Sequence, residues 1–107
     1  MQQIQPNELA AWLGDAGRRP PVLLDVREPW EVQTCHLPGI VHIPMGQIPQ
    51  RFNELDPDAE IVCICHHGAR SLQVAMFLAR QGFSELFNLS GGVDAWARQV
   101  DPTMAVY

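Results

Sequence analysis

The sequence predicts an α/β protein built on a parallel sheet that helices cover on both faces. Short apolar segments alternate along the chain with segments of helical periodicity, separated by 9 prolines and 8 glycines, as expected of strands joined by crossover helices. Two of the apolar segments, 22–24 and 61–64, are continuous, which is typical of strands buried on both faces. With 107 residues, 47% of them hydrophobic, the chain predicts a single domain over residues 1–107.

The first predicted elements are a helix over 6–13 and a strand over 22–24. Pro6 stands at a first helical position, Leu9 and Trp12 lie on the apolar face, and Gly14 marks the end of the helix. The strand ends in a charged cluster, Asp25-Val26-Arg27-Glu28. Since ligands of parallel sheets bind at the carboxyl ends of strands, this cluster indicates a functional edge.

The middle of the chain predicts a strand over 40–43, a helix from about 48 to 55, and a strand over 61–64. The second of these strands is β-branched and apolar. It leads into the segment Cys65-His66-His67-Gly68-Ala69-Arg70.

The last elements are a helix over 71–81, a strand over 85–88 and a helix over 93–100. In the first of these helices an apolar face is predicted from residues spaced by three and four, and Gly82 marks its end. That face consists of Leu72, Ala75, Met76 and Ala79. A turn at Ser90-Gly91-Gly92 precedes the final helix, which ends before Pro102.

Composition excludes several classes of function. All seven basic residues are arginine, so Schiff-base, pyridoxal-phosphate and phosphate-loop lysine chemistry are excluded. The net charge of −5 argues against binding to nucleic acid or to an anionic membrane. No signal-peptide order or membrane-spanning segment is recognisable. Three cysteines, an odd number, favour free thiols, and we therefore expect a cytoplasmic protein.

The segment after the third predicted strand has the composition of a nucleophile loop. Cys65 would stand where a strand turns into a helix, and backbone N–H groups at such a junction bind anions. These amides, the helix dipole and the guanidinium of Arg70 favour a thiolate at Cys65. Gly68 gives the loop the freedom to adopt a positive φ.

Four segments in order resemble the rhodanese family of sulfurtransferases. The loop matches the family pattern of cysteine, two variable residues, glycine, a variable residue and arginine, and the resemblance extends over nearly the whole chain. The four segments are Leu24-Asp25-Val26-Arg27-Glu28, Cys35-His36-Leu37-Pro38-Gly39-Ile40, Cys65-His66-His67-Gly68-Ala69-Arg70-Ser71 and Gly91-Gly92-Val93-Asp94-Ala95-Trp96. The resemblance implies a three-layer α/β/α sandwich with a parallel sheet of about five strands.

The resemblance also implies sulfur transfer through Cys65. Its thiolate would take the outer sulfur of a donor such as thiosulfate and pass it, as a persulfide, to cyanide, a thiol or a protein cysteine. Arg70 would orient the donor. The loop residues that would bind the donor are His66, His67, Gly68, Ala69 and Arg70. The supporting residues would be Asp25, Arg27, His36 and Ser71. No cofactor is implied, and the partners would be a small-molecule sulfur donor and a sulfur-acceptor protein.

Three alternatives stay open from the sequence. Cysteine phosphatases and arsenate reductases of the same fold place five residues between cysteine and arginine, whereas four separate Cys65 from Arg70; a shorter loop suits a smaller group. A metal site is disfavoured because Cys63 and Cys65 have one residue between them, where zinc ligands favour two to four. A rhodanese-like domain can also act as a non-catalytic binding module.

Some features differ from the family pattern or lie beyond it. Cys35 stands where the family usually has glycine, and the sequence does not say whether it reacts with a Cys65 persulfide. The pair His66-His67 leaves the choice of donor open, and neither the physiological donor and acceptor nor the oligomeric state follows from the sequence.

Overall fold

A computed structural model describes residues 1–107 and contains one parallel sheet of five strands. The strands are β1 (Gln2–Ile4), β2 (Val22–Asp25), β3 (Val41–His42), β4 (Ile61–Ile64) and β5 (Leu86–Leu89). The helices are α1 (Pro6–Leu13), α2 (Pro29–Thr34), α3 (Ile48–Arg51), α4 (Ala69–Arg80) and α5 (Gly92–Gln99). The strand order is β1-β5-β4-β2-β3, which places β4 at the centre of the sheet.

Side chains of β4 alternate between two hydrophobic cores, one on each face of the sheet. Ile61 and Cys63 belong to the core that includes Val74 and Leu78 of α4. Val62 and Ile64 belong to the core that includes Leu9 of α1 and Trp96 of α5, as the two-residue period of a strand requires. All four residues of β4 are buried. The predicted fold class, a parallel sheet between two helical layers, is confirmed.

The strand at one edge of the sheet was not predicted. β1 carries two glutamines and only its last residue, Ile4, is buried, so it lacks the apolar run that indicates a strand. It exists because it pairs with β5, with Ile4 opposite Leu89. At the other edge β3 is shorter than the predicted strand over 40–43 and keeps only Val41 and His42.

Two helical segments also differ from the prediction. α2 was not expected, because its only buried residue is Glu31 and it therefore shows no apolar stripe. It begins with Pro29, and the Glu31 carboxylate accepts a hydrogen bond from the backbone N–H of Glu28 at 3.0 Å. The helix expected from 48 to 55 is a single α-turn, α3, between two 3₁₀ turns at Met45–Gln47 and Phe52–Glu54.

The buried face of α4 is rotated from the predicted one. Ser71, Val74, Ala75 and Leu78 are buried, whereas Met76 keeps 50% of its surface exposed. The helix begins at Ala69 rather than at residue 71, and polar Ser71 turns towards the sheet because it bonds to the loop below it. An apolar stripe alone therefore gave the wrong helix face.

Strand β5 and helix α5 lie one residue from their predicted bounds, at Leu86–Leu89 and Gly92–Gln99. None of the helices combines the length and the apolar character that a membrane span needs.

Candidate active site

Cys65 lies at the carboxyl end of the central strand, directly before the loop that leads into α4. Asp25, the last residue of β2, pairs in register with Ile64, the last residue of β4. The residues that follow both strands therefore meet at one edge of the sheet, where parallel sheets place their ligands.

The sulfur of Cys65 is held by the loop that follows it. The Gly68 backbone N–H donates to Sγ at 3.0 Å, and Ser71 Oγ lies 3.2 Å from the same sulfur. Gly68 has φ +107°, which a residue with a side chain rarely adopts. Only 1% of the surface of Cys65 is exposed. The expected set of inward-pointing amides is thus represented at the sulfur by one hydrogen bond, from Gly68, beside the N-terminus of α4.

Helix α5 holds the loop from its other side. The N–H groups of Val93 and Asp94 donate to the carbonyl oxygens of Cys65 and His66 at 2.9 and 3.1 Å. This approach requires Gly92, because a Cβ there would lie 2.3 Å from the Cys65 oxygen and 2.4 Å from that of His66. The glycine turn of the sequence is therefore part of the site, since it lets α5 approach the loop backbone.

Arg70 binds a carboxylate of α2 through two hydrogen bonds. Its Nη1 and Nη2 donate to Oε1 and Oε2 of Glu31 at 2.7 and 2.9 Å. The Tyr107 hydroxyl donates to the same carboxylate at 2.7 Å. These bonds, foremost those from Arg70, lower the pKa of Glu31 to about 2, although its burial opposes the shift. Three of the five N–H donors of the Arg70 guanidinium stay available to an anion.

The ion pair of Glu31 and Arg70 should make the stability of the folded protein depend on pH between 4.5 and about 2. The pKa of Glu31 lies below its usual value of 4.5 in the folded protein, so its contribution to stability is complete above pH 4.5 and is lost as the pH falls towards about 2. We expect Glu31→Gln to lower the melting temperature at pH 7 by several degrees, since about 1 kcal/mol corresponds to roughly 4–8 °C in a domain of this size. The variant should also change less between pH 4.5 and 2 than the wild type.

Thermal unfolding followed by circular dichroism between pH 7 and pH 2.5 measures this dependence. Glu54→Gln serves as the matched control, because Glu54 also pairs with an arginine, Arg51, but its side chain is 52% exposed. Equal pH dependence of the wild type and Glu31→Gln would contradict the assignment.

The other predicted supporting residues lie in a network beside the loop. Asp25 and Arg27 form a fully buried ion pair at 2.7 Å. The Arg27 guanidinium also donates to the Tyr107 hydroxyl at 2.9 Å and to the Cys35 carbonyl at 2.7 Å. These contacts reach the loop only through Tyr107 and Glu31. His36 lies outside this network, exposed and two residues after the end of α2, where its Nδ1 bonds to the Val32 carbonyl at 2.9 Å.

Tyr107 packs against the first loop residue after the cysteine. Its ring stacks on that of His66, with centroids 3.9 Å apart and planes 7° from parallel, and it meets the edge of Trp30 at 5.6 Å. Burial raises the pKa of Tyr107 to about 12, so the hydroxyl keeps the proton that it donates to Glu31. Burial, followed by the charge of His67, lowers the pKa of His66.

His66, His67 and Asp94 are the side chains that come nearest to a metal-site arrangement. Their ligand atoms lie within 4.8 Å of one another, a wider spread than the roughly 3.3 Å between ligands with bonds of about 2.0 Å to a tetrahedral zinc ion. Asp94 already accepts a hydrogen bond from Arg98 at 3.0 Å. This geometry favours an ion pair between Asp94 and Arg98 over a metal centre.

The other two cysteines differ from Cys65 in their surroundings. Cys63 is fully buried, and burial raises the pKa of its thiol to about 12, which makes it unreactive. Cys35 belongs to the core on the opposite face of the sheet from that of Cys65. Its sulfur lies 3.8 Å from Nη1 of Arg27, the residue that also donates to the Tyr107 hydroxyl.

Three residues of the site were not identified from the sequence: Glu31, Tyr107, and Asn88, whose side chain bonds to Ser71 Oγ and to the Gly68 carbonyl. Glu31 carried a signal, because it follows Pro29 near a charged strand end and could have been recognised as a capping residue of a short helix. Asn88 and Tyr107 carried none, because each reaches the site from a distant part of the chain.

The fold and the loop define an α/β protein with a cysteine at the carboxyl end of its central strand and a Cys-x-x-Gly-x-Arg turn around the sulfur. The family model described as "Rhodanese-like domain" matches residues 5–99. The chain therefore belongs to the rhodanese-like family.

Relatives and solved structures agree with this membership. A protein of Allochromatium vinosum named "Sulfurtransferase" is 35% identical over 105 residues, which are 98% of this chain and 96% of that protein. "Thiosulfate sulfurtransferase GlpE" of Pseudomonas syringae is 36% identical over 85% of this chain and 83% of its own length. The crystal structure of a rhodanese-like domain protein from Staphylococcus aureus is 28% identical, with a TM-score of 0.84, covering 100% of this chain and 99% of that one.

Other relatives are longer than this chain. The matched region is 43% of the "Putative sulfur carrier protein YrkF" of Bacillus subtilis, to which this chain is 42% identical over 79 residues, 74% of its length. The chain thus spans less than half of that protein.

Proposed function

We propose that this protein is a sulfurtransferase that carries sulfane sulfur as a persulfide on Cys65. The donor is a small anion such as thiosulfate, and the acceptor is cyanide, a thiol or the cysteine of an acceptor protein. The observation that supports this proposal best is the hydrogen bond from the Gly68 N–H to Cys65 Sγ at the N-terminus of α4. Several relatives bear the name sulfurtransferase.

In the first step the Cys65 thiolate attacks the outer sulfur of thiosulfate. A sulfur–sulfur bond to Cys65 forms, the sulfur–sulfur bond of the donor breaks, and its electron pair leaves with sulfite. The Gly68 N–H is placed to stabilise the sulfur anion before and after the transfer, and Ser71 Oγ lies 3.2 Å from the same sulfur. The three N–H groups of Arg70 that do not bind Glu31 would bind the oxygens of thiosulfate. Glu31 holds the guanidinium in place for this.

In the second step the acceptor attacks the terminal sulfur of the persulfide. With cyanide, a carbon–sulfur bond forms, thiocyanate leaves, and the electron pair of the broken sulfur–sulfur bond returns to Cys65 as a thiolate. Charge and atoms balance over the cycle without a cofactor, and such double displacement gives ping-pong kinetics.

Access to the sulfur restricts the substrates. Since Cys65 is 1% exposed, a donor reaches Sγ only after neighbouring side chains move. The turn with four residues between cysteine and arginine is small, which favours the transfer of one sulfur atom over that of a phosphoryl group. All three cysteines are free thiols, which suits a reducing compartment such as the cytoplasm.

Activity assays on the wild type and Cys65→Ser test this proposal. We expect the wild type to form thiocyanate from thiosulfate and cyanide, and Cys65→Ser to lose at least about a thousandfold in kcat/KM, because the covalent intermediate cannot form. Cys35→Ser is the matched control and should keep its activity. Hydrolysis of an aryl phosphate without thiocyanate would favour the phosphatase alternative, and full activity of Cys65→Ser would exclude the proposed nucleophile.

A further inference from the structure

Asn88 is a buried polar residue of β5 that connects two parts of the active loop. It is 2% exposed. Its Nδ2 donates to the Gly68 carbonyl and to Gln3 Oε1, both at 3.1 Å, and its Oδ1 accepts from Ser71 Oγ at 2.5 Å. The proposed sulfur-transfer steps do not use this side chain directly.

The orientation of the Asn88 amide follows from its partners. The Gly68 carbonyl can only accept a hydrogen bond, so Nδ2 must face it. Oδ1 must then face Ser71, and at 2.5 Å the Ser71 hydroxyl donates to it. Ser71 Oγ has one proton and three acceptors within reach, since Cys65 Sγ lies at 3.2 Å and the Gly68 oxygen at 3.3 Å. Asn88 thus determines where that proton points.

The two contacts of Asn88 with the loop are not equivalent. The Gly68 carbonyl also accepts from the Leu72 backbone N–H at 3.2 Å, so helix α4 holds it without Asn88. The Ser71 hydroxyl receives no comparable second constraint on its direction, because its other two contacts are the longer ones to Cys65 and Gly68. Asn88 therefore acts on the loop mainly at Ser71.

We propose that Asn88 is a positioning residue that controls the reactivity of Cys65 through the Ser71 hydroxyl. By accepting the Ser71 proton at 2.5 Å, Asn88 turns that proton away from Sγ, so the Gly68 N–H is the donor that the sulfur keeps. This inference rests on Cys65 being the reacting thiol of the proposed function. It adds a residue that touches neither donor nor acceptor.

A double-mutant cycle on Asn88 and Ser71 tests the inference. The readout is the rate of Cys65 alkylation by iodoacetamide at 25 °C, followed by mass spectrometry of the Cys65 peptide, which needs no sulfur donor. We expect Asn88→Leu to speed alkylation about fivefold, because the freed Ser71 proton can then donate to the thiolate as one added hydrogen bond. Ser71→Ala removes that proton. The double variant should alkylate within about twofold of the rate of Ser71→Ala, because Asn88 acts through Ser71 and the effects of residues that act as one unit are not additive.

A control and a second readout separate positioning from stability. Gln3→Leu removes the other Asn88 partner on the exposed side and should leave the alkylation rate unchanged. Melting temperatures identify destabilised variants. A variant that is folded at 25 °C should still show the coupling in its alkylation rate. If Asn88→Leu does not fold, Asn88→Ala takes its place in the same cycle.

Two outcomes overturn the inference. One is a double variant that exceeds the rate of Ser71→Ala by the same factor by which Asn88→Leu exceeds the wild type, and the other is an Asn88→Leu variant that alkylates at the wild-type rate or more slowly. The failure of the proposed function is distinguishable: the wild type would then form no thiocyanate while the coupling in alkylation persists.

Discussion

Gly92→Ala is expected to destroy the active loop and to remove a large part of the stability of this protein. The new Cβ would lie 2.3 Å from the Cys65 oxygen and 2.5 Å from the His66 carbonyl carbon. Both are backbone atoms that cannot rotate away. Gly92 also has φ +60°, where alanine is strained. Steric overlap and strain together predict a loss of about 2–5 kcal/mol.

The consequences reach the chemistry because α5 holds the loop. If α5 retreats, the bonds from Val93 and Asp94 to the Cys65 and His66 carbonyls lengthen, and the Gly68 amide loses its alignment with Sγ. We expect sulfur transfer to fall more than about a hundredfold, the cost of misplacing reacting groups by about 1 Å.

Urea unfolding and the thiocyanate assay measure the two effects. Gly82→Ala is the matched control, since Gly82 has φ +94° but no atom within 4 Å of its added Cβ. It should cost only the backbone strain, about 1–2 kcal/mol, and keep its activity. Equal stability and activity of the two variants would contradict the role given to Gly92.

Arg27→Leu is expected to be the most destabilising change of a charged residue in the chain. Arg27 and Asp25 are both fully buried, and leucine would leave the carboxylate without its counter-charge. Breaking a buried ion pair on one side costs about 3–5 kcal/mol. The variant also removes the donors to the Cys35 carbonyl and the Tyr107 hydroxyl, so the C-terminal segment loses an anchor beside the loop.

Chemical unfolding of three variants measures this effect. Arg51→Leu, which breaks an exposed pair with Glu54, should leave the unfolding midpoint nearly unchanged. Asp25→Asn combined with Arg27→Leu should recover part of the lost stability, because no charge is then left unpaired. If Arg27→Leu unfolds at the same urea concentration as Arg51→Leu, the buried pair has little effect on stability.

The fold was predictable where a buried element consists of apolar residues. β4 is apolar in all four residues, and its predicted bounds are those of the structure. β1 and α2 lack this signal because Gln2 and Gln3 are exposed and the only buried side chain of α2 is the charged Glu31. β1 forms by pairing with β5, which no local pattern contains, whereas the local signals of α2 are Pro29 and the capping residue Glu31.

The site was predictable only within its contiguous segment. The sequence placed Cys65, Gly68 and Ser71 together because they stand in one short turn. It assigned Arg70 to the substrate, whereas two of the Arg70 donors bind Glu31, which is 39 positions away in sequence. Tertiary partners of this kind follow from the fold, so the pairing of Glu31 with Arg70, like the contacts of Asn88, is visible only in three dimensions.

The most direct test of a sulfur-carrying role for Cys65 is peptide mass spectrometry after incubation with thiosulfate. We expect a gain of roughly 32 mass units, one sulfur atom, on the Cys65 peptide, and its loss when cyanide is added. A gain on Cys35, a gain that fragmentation of the shared peptide assigns to Cys63 instead of Cys65, or thiocyanate formed while Cys65 stays unmodified would contradict this role.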